Sequence, residues 1–248
     1  MKKVKLLLIS LTCNLAPFVR ADVSTADTEV TLPLRFDVRQ SVRHFNAIKN
    51  QQECGNSVAF AMTAAMEIGL TYRFHKEVVL SENFISTCDT ENFPSPCSAA
   101  NPSFDFAVSP GLVREKDFPV RSGAELCHTN LPIAHRARSW AFLKTSSQSE
   151  IVAEEDIKAA ILKHGSVSSF VYVSCGLADY RGGVFENCQA GAKPNHMVTI
   201  IGWDDEGGYW IARNSWGEDW GEKGYLRIKY GCNGIGTGAA FIDLGNQQ

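Results

Sequence analysis

Three sequence blocks in a fixed order constrain the fold of this chain more than any other feature. The blocks run from Gln51 to Phe60, from Pro194 to Trp203 and from Tyr209 to Gly217. In the first, a serine precedes a helical apolar pattern; the other two are β-rich runs that carry a histidine and an asparagine. A lone cysteine or histidine would mean little, but several ordered blocks at a defined spacing indicate one particular fold.

The first block resembles the motif Q-x-x-C-G-S-C-W-A-F, which surrounds the nucleophilic cysteine of papain-like cysteine peptidases of the cathepsin type. The positions that match in register are Gln51, Cys54, Gly55, Ala59 and Phe60. Two positions differ, because Ser57 stands where the family has its nucleophile and Val58 where it has a tryptophan. The chain is identified as a variant of that family with a hydroxyl oxygen in place of the reactive sulfur.

The other two blocks supply the remaining catalytic positions that the resemblance implies. His196 resembles the family's catalytic base, and Asn214 resembles the residue that accepts a hydrogen bond from the imidazole and orients it. Both follow Ser57 at separations near the roughly 130–150 residues of papain-like enzymes. Gln51 resembles the oxyanion-hole amide, which together with the Ser57 N–H donates to the developing negative oxygen. The resemblance therefore implies a catalytic site at these four positions.

The resemblance also implies an α+β fold of two lobes with the active-site cleft between them. A helical left lobe would cover residues 41–140 approximately, and an antiparallel β-barrel-like right lobe would cover residues 141–248. The residue patterns agree with this division. They predict helices at Ser57–Phe74, Ser81–Thr87, Phe104–Val108 and Glu154–Lys163, and β-rich runs at Val167–Val173, Met197–Trp203, Tyr209–Arg213 and Tyr225–Tyr230. The segment Leu32–Arg39 resembles the short first strand of the family, so the resemblance implies a strand there.

The N-terminus has the pattern of a secretory signal peptide. Three lysines precede a mostly apolar stretch from Leu6 to Leu15, and Ala21 ends a small-residue cleavage pattern. We therefore expect a signal peptide at 1–21, a short segment at 22–31 and the peptidase domain at 32–248. The apolar stretch is shorter than the roughly 20 residues of a membrane span, so no stable membrane anchor is expected. The short distance from Ala21 to Leu32 predicts that the long inhibitory propeptide of papain-like zymogens is missing.

The cysteines suggest an oxidising compartment. Without Cys13, which lies in the predicted signal peptide, seven cysteines remain, and their spacing alone leaves the connectivity open. The resemblance implies the pairs Cys54–Cys97, Cys88–Cys127 and Cys188–Cys232, with Cys175 unpaired. We expect a protein of the secretory pathway that is extracellular, lysosomal or vacuolar. No C-x2-C pair occurs in the sequence and the histidines are scattered, so neither a metal nor another cofactor is expected.

The expected substrate-binding residues lie beside the catalytic positions. Many family members have C-x-G-G after the second disulfide cysteine, where this chain has Cys97 followed by Ser98, Ala99 and Ala100. The two alanine methyl groups would narrow the cleft or restrict the loop. The other expected residues of this group are Asn195, Met197 and Trp216. Asn195 and Met197 would lie near the pocket for the substrate's second side chain, although ordinary strand-end residues are the alternative.

Three interpretations of Ser57 are open at this stage. Serine is a common N-cap residue, so it could cap the helix that follows without any nucleophilic role. It could instead attack a carbonyl if His196 removed its proton during the reaction, as in serine peptidases. The third interpretation is a laboratory substitution of an active enzyme. The further departures at Val58 and in the segment after Cys97 argue against it, because silencing an enzyme needs one change.

Composition excludes some partners. The 248 residues carry a net charge of −3, with acidic and basic residues interspersed, so no basic surface for nucleic acid is expected. The sequence therefore predicts a secreted, monomeric papain-like homologue that is proteolytically inactive and binds a peptide or protein in its cleft. The alternative is a weakly active endopeptidase or hydrolase that uses Ser57, His196 and Asn214.

Overall fold

The computed structural model describes residues 31–95, 97–98, 104–119, 126–128, 130–144 and 150–246, and five α-helices lie in these ranges. They are α1 (Ser57–Phe74), α2 (Glu82–Cys88), α3 (Asp105–Val108), α4 (Glu154–His164) and α5 (Cys175–Ala178). Helix α1 is buried over most of its length because small and apolar side chains occupy nearly all of its faces. The C-cap of α1 is His75, which adopts a left-handed conformation, and the C-cap of α4 is Gly165 in the same conformation.

The four predicted helices agree with the structure to within one residue at every end. Helix α1 has the predicted bounds. Helix α2 begins one residue after Ser81 because Ser81 is its N-cap, and the Ser81 hydroxyl accepts a hydrogen bond from the Phe84 N–H at 3.0 Å. Three acidic residues occupy the first turn of α4, where their negative charges interact favourably with the positive end of the helix dipole.

Eight strands form one open sheet. They are β1 (Arg35–Asp37), β2 (Ser139–Phe142), β3 (Val167–Val171), β4 (Val184–Phe185), β5 (His196–Asp204), β6 (Tyr209–Arg213), β7 (Tyr225–Lys229) and β8 (Thr237–Asp243). Their order is β2-β8-β3-β5-β6-β7-β4, and β1 pairs with β5 beside this path. All pairs are antiparallel except β4 with β7. The right lobe therefore contains a large antiparallel sheet, which does not close into a barrel.

Three strands, β2, β4 and β8, were not predicted from the sequence. The most important is β8, which pairs with both β2 and β3 and so lies inside the sheet. Its sequence begins Thr-Gly-Ala-Ala, and glycine and alanine are depleted in strands. Strand β2 pairs only with β8 in the described structure, and β4 has two residues. These strands depend on partners distant in sequence, so local propensity could not reveal them.

Two large hydrophobic clusters make up most of the core. One contains α4 and the inner residues of β3, β5, β6 and β7, with Trp203 and Trp210 among its largest side chains. The other surrounds α1 and α2, but it also receives Met197 and the end of β8. Ala239 belongs to the first cluster and Ala240 to the second. The C-terminal strand therefore contributes to both lobes, and the helical core includes residues beyond position 140.

None of the helices within the described ranges combines the length and the hydrophobicity that crossing a bilayer requires.

Candidate active site

Ser57 is the first residue of α1 and is buried, with 6% of its surface exposed. Its side-chain oxygen accepts a hydrogen bond from the Met197 backbone N–H at 3.2 Å. Within the described part of the chain, no hydrogen bond joins this oxygen to His196. The N-cap of α1 is Asn56, and no side chain makes a capping hydrogen bond there. The interpretation of Ser57 as a helix cap is therefore wrong, because its hydroxyl oxygen is directed to strand β5.

His196 opens β5, and Asn214 follows directly after β6, the neighbouring strand. The imidazole Nε2 and Asn214 Oδ1 are 2.8 Å apart, and the same oxygen accepts the Ser215 N–H at 2.8 Å. Since the amide oxygen can only accept, Nε2 is the protonated nitrogen in this pair and Nδ1 keeps its lone pair. The pairing of two adjacent strands thus fixes both the position and the tautomer of the histidine.

The environment of His196 keeps its ring neutral. The side chain is buried, and the Trp216 ring packs on it with 4.8 Å between the ring centres. Burial lowers the pKa of His196 to about 4, although the hydrogen bond with Asn214 acts in the opposite direction. At neutral pH this imidazole is therefore an uncharged base.

Gln51 is buried, and it contacts Ser215, the residue that follows Asn214. Its backbone N–H donates to the Ser215 carbonyl at 2.8 Å, and its side-chain oxygen accepts from the Ser215 hydroxyl. Its side-chain nitrogen donates to the Cys54 carbonyl at 2.6 Å. Because a primary amide has two N–H groups, one remains for another acceptor. The amide is held in place by Ser215, a contact that the sequence did not predict although Ser215 lies in the third block.

The predicted substrate-binding residues have different surroundings. Ser98 forms a closed turn in which its hydroxyl donates to the Ser95 carbonyl at 2.7 Å. Asn195 uses its side-chain oxygen to accept the Val173 N–H at 2.8 Å, so this side chain supports the backbone. Trp216 is half-buried and covers His196. Ala99 and Ala100 lie outside the described residues.

Met197 requires a correction. Its side chain is 1% exposed and belongs to the hydrophobic cluster around α1, so it is not on a surface where a substrate could contact it. A residue one position after His196 on a strand points to the other side of the sheet, which here faces the core. Met197 contributes its backbone N–H to the site instead.

Three disulfides close loops around the site and within each half of the chain. They join Cys54 to Cys97, Cys88 to Cys127 and Cys188 to Cys232, which are the pairs that the resemblance implies. Cys175 is free and exposed. The first disulfide lies next to Gln51, since the Cys54 carbonyl accepts the hydrogen bond from the Gln51 side-chain nitrogen. Among the residues that can be described, no group of histidine, cysteine and acidic side chains has an arrangement suited to a metal ion.

Comparisons with known proteins place this geometry in a family. The sequence pattern of the family described as "Papain family cysteine protease" matches residues 32–242. Human cathepsin O is 31% identical over 89% of this chain and 68% of its own length. The viral cathepsin of Orgyia pseudotsugata multicapsid polyhedrosis virus is 30% identical over 82% of this chain and 61% of its own length. The chain thus spans about two thirds of the length of these relatives.

Solved structures show the same similarity. The bromelain protease from Ananas comosus, solved in complex with the E64 inhibitor, matches with a TM-score of 0.72 and 27% identity, covering 86% of this chain and 100% of that one. A structure from a study of the mite allergens Blo t 1 and Der p 1 matches with a TM-score of 0.76 and 25% identity, covering 89% and 74%. The predicted two-lobe papain-like fold is confirmed by these matches.

Proposed function

The chain belongs to the papain family of cysteine proteases, and on that premise we propose that it is a non-proteolytic member that binds a peptide or protein segment in its cleft. The observation that carries this proposal is the identity of Ser57 at the position of the nucleophile. A cysteine beside a histidine at a helix N-terminus forms a thiolate–imidazolium pair before the substrate arrives. A serine hydroxyl is far too weak an acid to form that resting pair.

The state of the neighbouring groups supports the same conclusion. Burial lowers the pKa of His196 to about 4, so the imidazole carries no charge at neutral pH. The Ser57 oxygen accepts the Met197 N–H, which draws electron density away from the atom that would attack. Both members of the former catalytic pair are therefore neutral at rest, and proteolysis by the family's usual route has no nucleophile.

The remaining groups are suited to binding. Gln51 has one amide N–H that its described contacts do not use, and the N-terminus of α1 lies beside it. Such donors can bind a peptide carbonyl or a carboxylate without any covalent step. Trp216 and the buried pair of His196 and Asn214 keep the adjacent surface ordered. A peptide or protein segment is the ligand class that these donors match, and we propose that the protein binds it as a monomer.

A second candidate function is a slow hydrolase that depends on Ser57. It is favoured by one observation, the hydrogen bond of His196 Nε2 with Asn214, because this bond leaves Nδ1 able to accept a proton. In that reaction the Ser57 oxygen would attack the carbonyl while its proton moves to the imidazole. The family's geometry is adapted to the longer bond of carbon to sulfur, so we expect attack to be slow.

Two reagents separate the candidates. We expect the purified protein to cleave no member of a peptidyl-coumarin library above the rate of His196→Ala, and to form no adduct with a phosphonofluoridate on the tryptic peptide that contains Ser57. The Ser57→Ala variant is the matched control for the adduct. A mass shift on that peptide, absent in Ser57→Ala, would establish the hydrolase and refute the non-proteolytic proposal.

Ligand binding is tested by a titration that requires neither peptide cleavage nor formation of an adduct. Acetylated tripeptide amides of mixed sequence are titrated into the ¹⁵N-labelled protein, and the Trp216 indole resonance reports occupation of the cleft. We expect saturable shifts that weaken in Gln51→Ala and persist in Gln40→Ala, an exposed glutamine used as the control. Titrations that leave the indole unmoved, or that respond equally in both variants, would contradict binding at this site.

We also propose that the protein enters the secretory pathway. The three disulfides are consistent with an oxidising compartment. The proposed signal peptide, residues 1–21, lies outside the described residues. N-terminal sequencing of the protein secreted by eukaryotic cells should begin at Asp22, and retention of Met1 in a cytosolic product would contradict the proposal.

A further inference from the structure

A buried cluster of charged side chains lies directly behind the candidate site. The Lys49 ammonium group is 3.0 Å from Glu67 Oε1 and 2.7 Å from Glu82 Oε1, and it also donates to the Leu80 carbonyl. The two carboxylates are 3% and 2% exposed. Arg213 lines the same cavity as these three residues, and so do Asn214 and Ser215 of the site.

The cluster joins separate parts of the fold. Glu67 belongs to α1, Glu82 opens α2, and Lys49 comes from the segment that precedes Gln51. Arg213 ends β6 and donates to the carbonyl oxygens of residues 46 and 47 at 2.8 and 2.7 Å. The segment before the site is therefore held by α1 and α2 through its lysine side chain, and by β6 through its backbone.

The same segment is paired with the residues that follow Asn214. The Lys49 carbonyl accepts the Gly217 N–H at 3.1 Å, Asn50 forms a β-bridge with Trp216, and the Gln51 N–H donates to the Ser215 carbonyl at 2.8 Å. The side chain of Lys49 therefore contacts the charged cluster, while its backbone belongs to the short ladder that joins Gln51 to Ser215.

Net stability does not account for such a cluster. Removing charges from water costs about as much as their attraction returns, and well-packed apolar replacements of buried ion pairs are often as stable or more stable. An ion pair with several fixed partners instead holds its side chain, and the segment that carries it, in a single geometry. Lys49 has such partners on two helices, and the site residue two positions later must be placed accurately to donate to a ligand.

We propose that Lys49 is a positioning residue: held by Glu67 and Glu82, it fixes the ladder between residues 49–51 and 215–217 and thereby the placement of Gln51. The role concerns the geometry of the free protein, and its use in ligand binding rests on the proposed function. Residue-resolved hydrogen exchange of the Gln51 and Gly217 amides, without any ligand, tests the geometry alone. The peptide titration then tests whether Lys49 contributes to ligand binding. A failure of the positioning role is therefore distinguishable from a failure of the proposed binding function.

The variants are Lys49→Met, the triple variant Lys49→Met with Glu67→Gln and Glu82→Gln, and Lys158→Met. The triple variant removes the three charges of the ion-pair cluster together, while Arg213 keeps its two backbone carbonyl acceptors. Lys158 is the control, because it is a buried lysine that likewise forms an ion pair, 2.6 Å from Asp205, but it belongs to α4. Urea unfolding of each variant gives the global stability against which the exchange of the two amides is compared.

We expect the two amides to lose protection in Lys49→Met beyond its loss of global stability. The triple variant should regain global stability without regaining protection at Gln51 and Gly217. In Lys158→Met, protection at these amides should fall only in proportion to global stability. If the triple variant regains both, or if protection follows global stability in every variant, Lys49 has a structural role only and the proposal is overturned. Should Lys49→Met not fold, the triple variant decides by the same criterion.

Discussion

The side-chain oxygen of Ser57 accepts a hydrogen bond from the backbone N–H of Met197, at 3.2 Å. Met197 follows His196 on β5, so the strand that carries the histidine also holds the residue at the nucleophile position. The amide orients a lone pair of the hydroxyl oxygen toward the strand.

The first prediction concerns restoration of the nucleophile. Sulfur is a weak hydrogen-bond acceptor, so Ser57→Cys loosens the contact with the Met197 amide and allows a thiolate to form beside His196. We expect weak peptidase activity, because misplacement of the carbonyl by about 1 Å in an altered cleft costs on the order of 100-fold in rate. The kcat/KM for peptidyl-coumarin substrates measures it.

The double variant Ser57→Cys with His196→Ala is the control for that measurement. Adding Ala99→Gly and Ala100→Gly should raise the rate, since the resemblance places these methyl groups on the substrate wall. Full cathepsin-like turnover from Ser57→Cys alone would show that the cleft is intact.

The second prediction concerns Asn214. Its side-chain oxygen satisfies both the His196 ring N–H and the Ser215 backbone N–H, and all three residues are buried. Asn214→Ala leaves two buried donors without an acceptor, so we expect a loss of roughly 2–6 kcal/mol in the free energy of unfolding at about 1–3 kcal/mol per unsatisfied group. Urea denaturation measures the loss. Asn195→Ala, which removes a single exposed contact with the Val173 amide, should cost clearly less; equal losses would refute the assignment.

The third prediction concerns acid stability. His164 is buried, and its ring stacks on Phe241 with 4.4 Å between the ring centres. Burial lowers the pKa of His164 to about 4, whereas the unfolded chain binds this proton near pH 6.5. The unfolded state therefore binds more protons between pH 6.5 and 4, and stability must fall as the pH falls through this interval.

His164→Phe keeps the ring and removes the titration. We expect its unfolding free energy to depend less on pH than that of the native protein, by about 2–3 kcal/mol between pH 6.5 and 4. His44→Phe, at an exposed histidine, should retain the native dependence. Identical pH profiles for the native protein and His164→Phe would show that the buried ring does not set the acid limit.

The fourth prediction concerns the disulfide beside the oxyanion-hole position. Cys54 and Cys97 are separated by 43 residues, and the Cys54 carbonyl accepts the side-chain amide of Gln51. Replacing both cysteines by alanine should lower the unfolding free energy by about 2–4 kcal/mol, because the unfolded chain regains its loop entropy. Thermal unfolding measures the loss. Cys175→Ser, at the free and exposed cysteine, should change stability by no more than about 0.5 kcal/mol.

The sequence by itself determined the family and the two-lobe fold, and it named the residues of the candidate site. Helix α1 and strand β6 have the predicted bounds, because their local patterns are strong enough to identify them. Local patterns could not identify β8, whose glycine and alanines favour a strand only between β2 and β3. The same patterns left three interpretations of Ser57 open.

Only the tertiary structure decided what surrounds each site residue. The partner of the Ser57 hydroxyl is a backbone amide 140 residues away, and the partners of the Lys49 ammonium group lie on two helices. A backbone N–H has the same chemistry at every position. The identity of residue 197 as methionine therefore does not predict that its N–H donates to Ser57. Burial likewise depends on which elements pack together, and that is why a buried methionine and a neutral histidine emerge only once the sheet and α1 are in place.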